Sequence, residues 1–183
     1  FCYPSNSILH RTLVLNGFDV DGEWPSQMAR VYNPLDVESE RTGNSLRTEY
    51  NIPEDAPVVG KIGRPAPEKW GKLTVEGFNH VADSLPDARL LLVGVPDKIR
   101  HVIEKHGYGD RVTYIDRLTP NEVSDFYASI DVLAHTSAIG ESFGYVIAEA
   151  MANEVPVVVD STPMRDNAQI ELVENEVTGY VGN

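Results

Sequence analysis

Two loops of this 183-residue chain bring glycines, cations and carboxylates together. The first reads Gly63-Arg64-Pro65-Ala66-Pro67-Glu68-Lys69. Glycine lets a backbone come close to a ligand, and Arg64 and Lys69 place two cations on one loop. Arginine forks two oxygens of a phosphate, whereas lysine acts as a point charge. The second loop reads Ser137-Ala138-Ile139-Gly140-Glu141-Ser142-Phe143-Gly144-Tyr145 and opens a helical stretch that carries Glu149. A glycine-bearing loop that starts a helix offers unpaired backbone N–H groups and the positive end of the helix dipole. An anion such as a diphosphate fits there. Glu141 lies before that helix and Glu149 lies one to two turns inside it. Each carboxylate can accept from a pair of sugar hydroxyls.

Spacing alone distinguishes little. With 15 Glu in the chain, chance supplies about one Glu-x7-Glu pair, and Glu68 with Glu76 repeats the same interval. Context separates Glu141 and Glu149, which flank a glycine-bearing helix start between two apolar runs. The first loop also admits a plain reading, a solvated turn with a local Glu68–Lys69 ion pair. His135 reads as structural rather than catalytic. Ser137 and Ser142 lack a nucleophile-elbow pattern and read as capping or hydrogen-bonding groups. Asp160 and Glu171 read as solvated acids, with the cleft as the other place for Glu171. No set of His, Asp and Glu has zinc spacing.

The elements that must position these loops begin near residue 57. Apolar runs occur at Val58–Ile62, Ala88–Val95, Val112–Ile115, Val132–Ala134 and Val155–Val159. Most are continuous, as in strands buried on both faces. Between them, Leu73–Leu85, Asp97–His106 and Tyr145–Ala152 have helical spacing. Thr119-Pro120-Asn121-Glu122 is a capping box ahead of a further helix carrying Val123, Phe126 and Tyr127. Strand and helix alternating in this way predict an α/β fold with a doubly wound parallel sheet. Ligands in such sheets bind beyond the carboxyl ends of the strands, where both loops fall. Ahead of this, Ser5–Leu15 is predicted helical with a stop at Asn16-Gly17, and Ala29–Tyr32 a short strand. Glu38–Pro57 reads as a polar connector with a short helix at Ser45–Tyr50.

Composition sets limits. Acids outnumber bases 28 to 15, a net charge of −13, which excludes a phosphate-backbone partner such as nucleic acid. No apolar run reaches the roughly 18 residues of a membrane span. The single cysteine, Cys2, rules out an intrachain disulfide framework. With 5 Lys against 10 Arg, the acid excess suits a protein kept hydrated in concentrated salt, so a halophile source is expected; a mildly acidic cytosolic protein is the other reading. The chain opens at Phe1 without Met and is expected to be a piece of a longer protein.

Gly140-Glu141-Ser142-Phe143-Gly144-Tyr145-Val146-Ile147-Ala148-Glu149-Ala150-Met151-Ala152 resembles the Glu-x7-Glu signature of glycosyltransferase family 4, the retaining GT-B enzymes. Four further stretches agree in order. Tyr32-Asn33-Pro34-Leu35-Asp36 resembles the interdomain connector and Gly63-Arg64 to Lys69 the Gly-Arg-x4-Lys loop. Leu91-Leu92-Val93-Gly94 resembles the second strand, and Asp131 to Ser137 the strand before the signature. The likeness covers about residues 31–183.

The resemblance implies a Rossmann-like sheet, the C-terminal half of a GT-B fold. It divides the chain into a remnant of the N-terminal acceptor domain (1–28), a connector (29–57) and a donor-binding domain (58–183) lacking its closing helices. Arg64 and Lys69 would bind the donor diphosphate, and the loop opened by Gly63 would approach it. The backbone of Phe143, Gly144 and Tyr145 would cradle the distal phosphate and sugar. Glu141 would meet the transferred sugar, Glu149 the ribose diol, and the backbone near Arg117 the base. The donor is then a nucleoside-diphosphate sugar, with no cofactor and no catalytic metal. The other partners are the N-terminal domain and a hydroxyl acceptor of unassigned kind, whether glycan, lipid or small molecule. The expected activity is hexosyl transfer, with this piece binding nucleotide but inactive alone. The expected location is cytoplasmic, the full-length protein being able to associate with a membrane. A nucleotide-sugar epimerase of the same fold and a non-catalytic nucleotide-binding module are the alternatives. Three positions depart from the family pattern. Glu154 stands where Gly follows the signature helix, Asp116 where Gly is frequent near the base, and Trp70 where Gly is usual after Lys69. Trp70 is expected to pack rather than stack on the donor.

Overall fold

A computed structural model of the chain describes residues 2–20, 26–37 and 43–182. In chain order, β1 (Cys2–Tyr3) is followed by α1 (Asn6–Leu15) and β2 (Ala29–Arg30). Then come β3 (Val58–Ile62), α2 (Leu73–Ser84), β4 (Arg89–Val93), α3 (Asp97–His106) and β5 (Val112–Ile115). The second half holds α4 (Val123–Tyr127), β6 (Val132–His135), β7 (Gly140–Glu141), α5 (Tyr145–Ala152), β8 (Val157–Asp160), β9 (Asp166–Asn167), α6 (Gln169–Leu172) and β10 (Gly179–Gly182).

The continuous apolar runs become strands covered on both faces. In β4, Leu90 and Leu92 turn toward α2 and α3, where they join Val75, Phe78, Ile99 and Ile103. Leu91 and Val93 turn the other way and join Ile115, Phe126, Leu133 and Ile147. A period of two thus splits one run between two cores. Six strands form a parallel sheet in the order β10-β8-β6-β3-β4-β5. The chain runs outward from β3 to one edge, then returns to β6 and runs to the other. The reversal therefore falls between β3 and β6, and a crevice opens beyond their carboxyl ends. Among the described residues no helix is long and apolar enough to cross a membrane.

Helix ends follow the predicted signals. Ser5 caps α1, its Oγ accepting from the Ile8 N–H at 3.3 Å. The helix stops at Gly17 (φ 76°), so Asn16-Gly17 is a helix terminus and not a hairpin turn. α5 ends the same way. The Val155 N–H donates to the Ala150 carbonyl and the Glu154 N–H to that of Met151, which leaves Glu154 left-handed at φ 62°. A side chain is strained there, at about 1 kcal/mol. Glu154→Gly is therefore expected to stabilise the protein by about 1 kcal/mol, read as a rise of roughly 2–4 °C in melting temperature. A drop would show that the glutamate side chain contributes more than its backbone costs.

Several elements differ from expectation. β10 was not anticipated; its Gly-Tyr-Val-Gly sequence is short and carries little strand propensity, and pairing with β8 creates it. Ser45–Tyr50 forms a single turn rather than a helix, because Asn51 turns left-handed (φ 55°) and the Ile52 N–H reaches back to Arg47. The helix after the capping box is split, with a 3-10 turn at Pro120–Glu122 leading into the short α4. Predicted segments 1–28 and 29–57 include residues 1, 21–25 and 38–42, which lie outside the described residues. Arg47 clamps the start of the sheet, donating to the carbonyls of Ser129, Glu54 and Ala56 and to Asp131.

Candidate functional site

The loops after β3 and β6 face each other across the crevice and enclose a cleft of about 340 Å³. Gly63, Arg64, Lys69, Glu141, Phe143, Gly144 and Tyr145 all line it. A methyl group on Gly63 would meet only Trp70, at ordinary contact distance, so the protein's own packing does not demand glycine there. The vacant side faces whatever approaches the loop. Trp70 is 2% exposed, packs among Val75, Phe78 and Ile99, and donates from Nε1 to the Arg64 carbonyl at 2.9 Å. It packs as expected and pins the loop that carries both cations.

Arg64 is exposed, and its guanidinium has no partner among the described residues. Lys69 is not paired with Glu68. Its Nζ donates to Glu141 Oε1 at 2.7 Å, and His135 Nε2 lies 3.0 Å from the same oxygen. Burial works to raise the Glu141 carboxyl, but the hydrogen bonds from His135 and Lys69 and the charge of Lys69 outweigh it and hold the carboxyl below its usual range. α5 opens at Gly144 (φ 95°), and its first amides have no acceptor within the helix. The Phe143 ring packs edge-on to Tyr145 and against Tyr32, and Asn33 completes one wall. Asn33 belongs to the stretch that resembles the interdomain connector and was not expected in the site.

Two predicted site residues lie outside the cleft lining. Glu149 sits one turn into α5 and accepts from the Tyr127 hydroxyl at 2.8 Å. Tyr127 is 1% exposed, and helical spacing had marked it only as core. Arg117 is exposed after β5, two strands away from β3. Its neighbour Asp116 is ion-paired with Arg100 of α3. Glu171 neither lines the cleft nor stands in solvent. Its two oxygens accept the N–H groups of Asn6 and Ser7 at 2.9 and 2.8 Å, capping α1 from α6. Ser137 is a hydrogen-bonding residue as expected, its Oγ donating to the Gly140 carbonyl.

Lys61 is a cation that sequence reasoning missed, because it sits inside an apolar run. It is 2% exposed, donates to the Thr136 carbonyl at 2.7 Å and lies 5.3 Å from the Trp70 ring centre. Burial lowers its pKa to about 8, against the pull of Asp160 and Glu141. Between about pH 8 and 10.5 the unfolded chain holds a proton that the native protein has lost, so native stability rises with pH. Unfolding of wild type and Lys61→Met across that window should show wild type gaining about 3 kcal/mol on the variant. A constant difference would mean that the buried amine does not titrate there.

Six parallel strands reversing between β3 and β6, with a glycine-bearing helix start at the reversal, form a Rossmann-like domain whose fold matches those of GT-B glycosyltransferases. The chain belongs to the family described as Glycosyl transferases group 1, whose model matches residues 44–183. It is 30% identical over 159 residues to D-inositol 3-phosphate glycosyltransferase of Corynebacterium glutamicum, covering 79% of this chain and 37% of that protein. It is 28% identical over 132 residues to mannosylfructose-phosphate synthase of Agrobacterium fabrum, covering 66% and 28%. Anabaena HepE, solved in complex with UDP and glucose, superposes with a TM-score of 0.79 at 24% identity, over 100% of this chain and 48% of that one. The chain thus spans less than half the length of these relatives.

Proposed function

We propose that the cleft binds a nucleoside-diphosphate sugar, and that the whole protein is a retaining, family 4 glycosyltransferase acting on a hydroxyl acceptor. The observation that carries this is an Arg64 guanidinium with no partner among the described residues, lining one cleft with Lys69, Glu141 and the start of α5. Solved relatives that hold UDP and glucose support it. Arg64, Lys69 and the amides of Phe143, Gly144 and Tyr145 hold the diphosphate and stabilise the charge that develops as it leaves. Glu141 takes hydroxyls of the sugar, Glu149 the ribose diol, and the backbone at Arg117 the base. The bond from the anomeric carbon to the diphosphate breaks while the acceptor oxygen adds on the same face, its proton passing to the departing diphosphate. Residues 58–183 form the donor domain, 29–57 the connector and 1–28 the tail of the acceptor domain. The 183 residues alone bind donor without transferring it.

Calorimetry with UDP, GDP and ADP and their sugars tests the assignment. One nucleotide should bind best, and Glu149→Ala should weaken it about 10-fold, the value of a hydrogen bond to a charged group. Equal affinity in wild type and variant would overturn the ribose role. Sugar transfer by the 183-residue chain would overturn the division of labour.

A further inference from the structure

His135 ends β6, a strand paired with β3 on one side and β8 on the other. The residue is 6% exposed, and Nδ1 is buried with no partner among the described residues. Two acceptors would repel at the 3.0 Å that separates Nε2 from the ionised Glu141, so Nε2 carries the proton and donates. Nδ1 is then a bare lone pair. A second proton would leave an unsatisfied buried N–H and would face the ammonium groups of Lys61 and Lys69. Burial and these two cations keep the imidazole neutral, against the pull of Glu141.

Both donors to Glu141 converge on Oε1, and among the described residues Oε2 has no hydrogen bond. The two holds differ in stiffness. Lys69 reaches in from the loop after β3 on a flexible stem, and an arriving diphosphate competes for its charge. His135 stands on a doubly paired strand and cannot follow the ligand. We infer that His135 is a positioning residue for the donor sugar, fixing Glu141 through Oε1 so that Oε2 is kept for sugar hydroxyls once Lys69 turns to the diphosphate. This rests on the cleft being a nucleotide-sugar site, as proposed above.

The test compares affinity for nucleotide and nucleotide-sugar by calorimetry on the 183-residue chain. The pairs are UDP with UDP-glucose, GDP with GDP-mannose and ADP with ADP-glucose, and the pair whose nucleotide binds best is used. His135→Leu should weaken the sugar nucleotide about 10-fold while the plain nucleotide is unchanged. His135→Gln, which retains an N–H donor of similar reach, should restore most of the loss. In a Glu141→Gln background His135→Leu should change the ratio no further, because the histidine acts through the carboxylate. Equal weakening of both ligands, an unchanged ratio, or a further loss in the Glu141→Gln background would overturn the inference. Wild type that is folded yet binds none of the three nucleotides would overturn the donor-site reading, and the inference with it. If His135→Leu does not fold, His135→Gln retaining the wild-type ratio while His135→Asn, whose shorter amide cannot reach Glu141, loses it supports the inference. Equal ratios in those two variants overturn it.

Discussion

Arg64→Ala is expected to weaken binding of the nucleoside diphosphate about 10- to 100-fold, while leaving the unfolding midpoint unchanged. The guanidinium is exposed, has no partner among the described residues and lines the cleft, so the fold loses nothing with it. A charge-assisted contact to phosphate is worth about 1.5–3 kcal/mol, which sets the range. Arg64→Lys keeps the charge but not the planar fork and should fall between. Lys69→Ala should cost less, because Lys69 must first leave Glu141, and the pair's attraction is subtracted from what the phosphate gains. Calorimetry with the three nucleotides reads all of this. An Arg64→Ala affinity equal to wild type would remove the diphosphate from this loop.

Gly140→Ala is expected to destabilise the protein by about 2–5 kcal/mol and to abolish organised donor binding. Gly140 is left-handed at φ 73°, and a methyl group built on it would lie 1.7 Å from the Asp166 carbonyl oxygen. The obstacle is backbone, so a rotamer change cannot relieve it. Left-handed strain costs about 1–2 kcal/mol and overpacking about 1–3 more. The collision falls where β7 pairs with β9, Gly140 against Asp166 and Glu141 against Asn167. Opening that bridge carries Glu141 away from Lys69 and His135. Gly17→Ala supplies the control. Gly17 has a similar φ of 76° but, among the described residues, nothing within 4 Å of the added methyl, so it should show the strain alone, about 1 kcal/mol. Denaturant unfolding separates the two. Equal losses at both glycines would mean that the β7–β9 approach is soft.

Part of the site was legible because it is local. The cations of the first loop lie five residues apart, and Glu141 and Glu149 flank one helix start. The α/β alternation placed both loops at the same end of the sheet, and the structure joins them in one cleft. Glu154 was marked as a departure from the family pattern, standing where Gly follows the signature helix, and its φ of 62° is the left-handed backbone that glycine takes most easily.

What the chain order hid was who meets whom. Lys69 was weighed against its neighbour Glu68 and against a ligand, yet its partner is Glu141, 72 positions on. Glu171 was left among the solvated acids, but it caps a helix 164 residues away. Tyr127 read as core through its ring, while its hydroxyl holds Glu149. Lys61 passed unremarked inside an apolar run and is a buried cation that donates to the Thr136 carbonyl. Propensity, capping and apolar period act over a few residues, so helices, most strands and the two loops follow from sequence. With 28 acids and 15 bases many ion pairs are equally plausible from composition. Only the parallel pairing of β3 with β6, which sets two distant loops face to face, selects Lys69, His135 and Glu141 as one cluster.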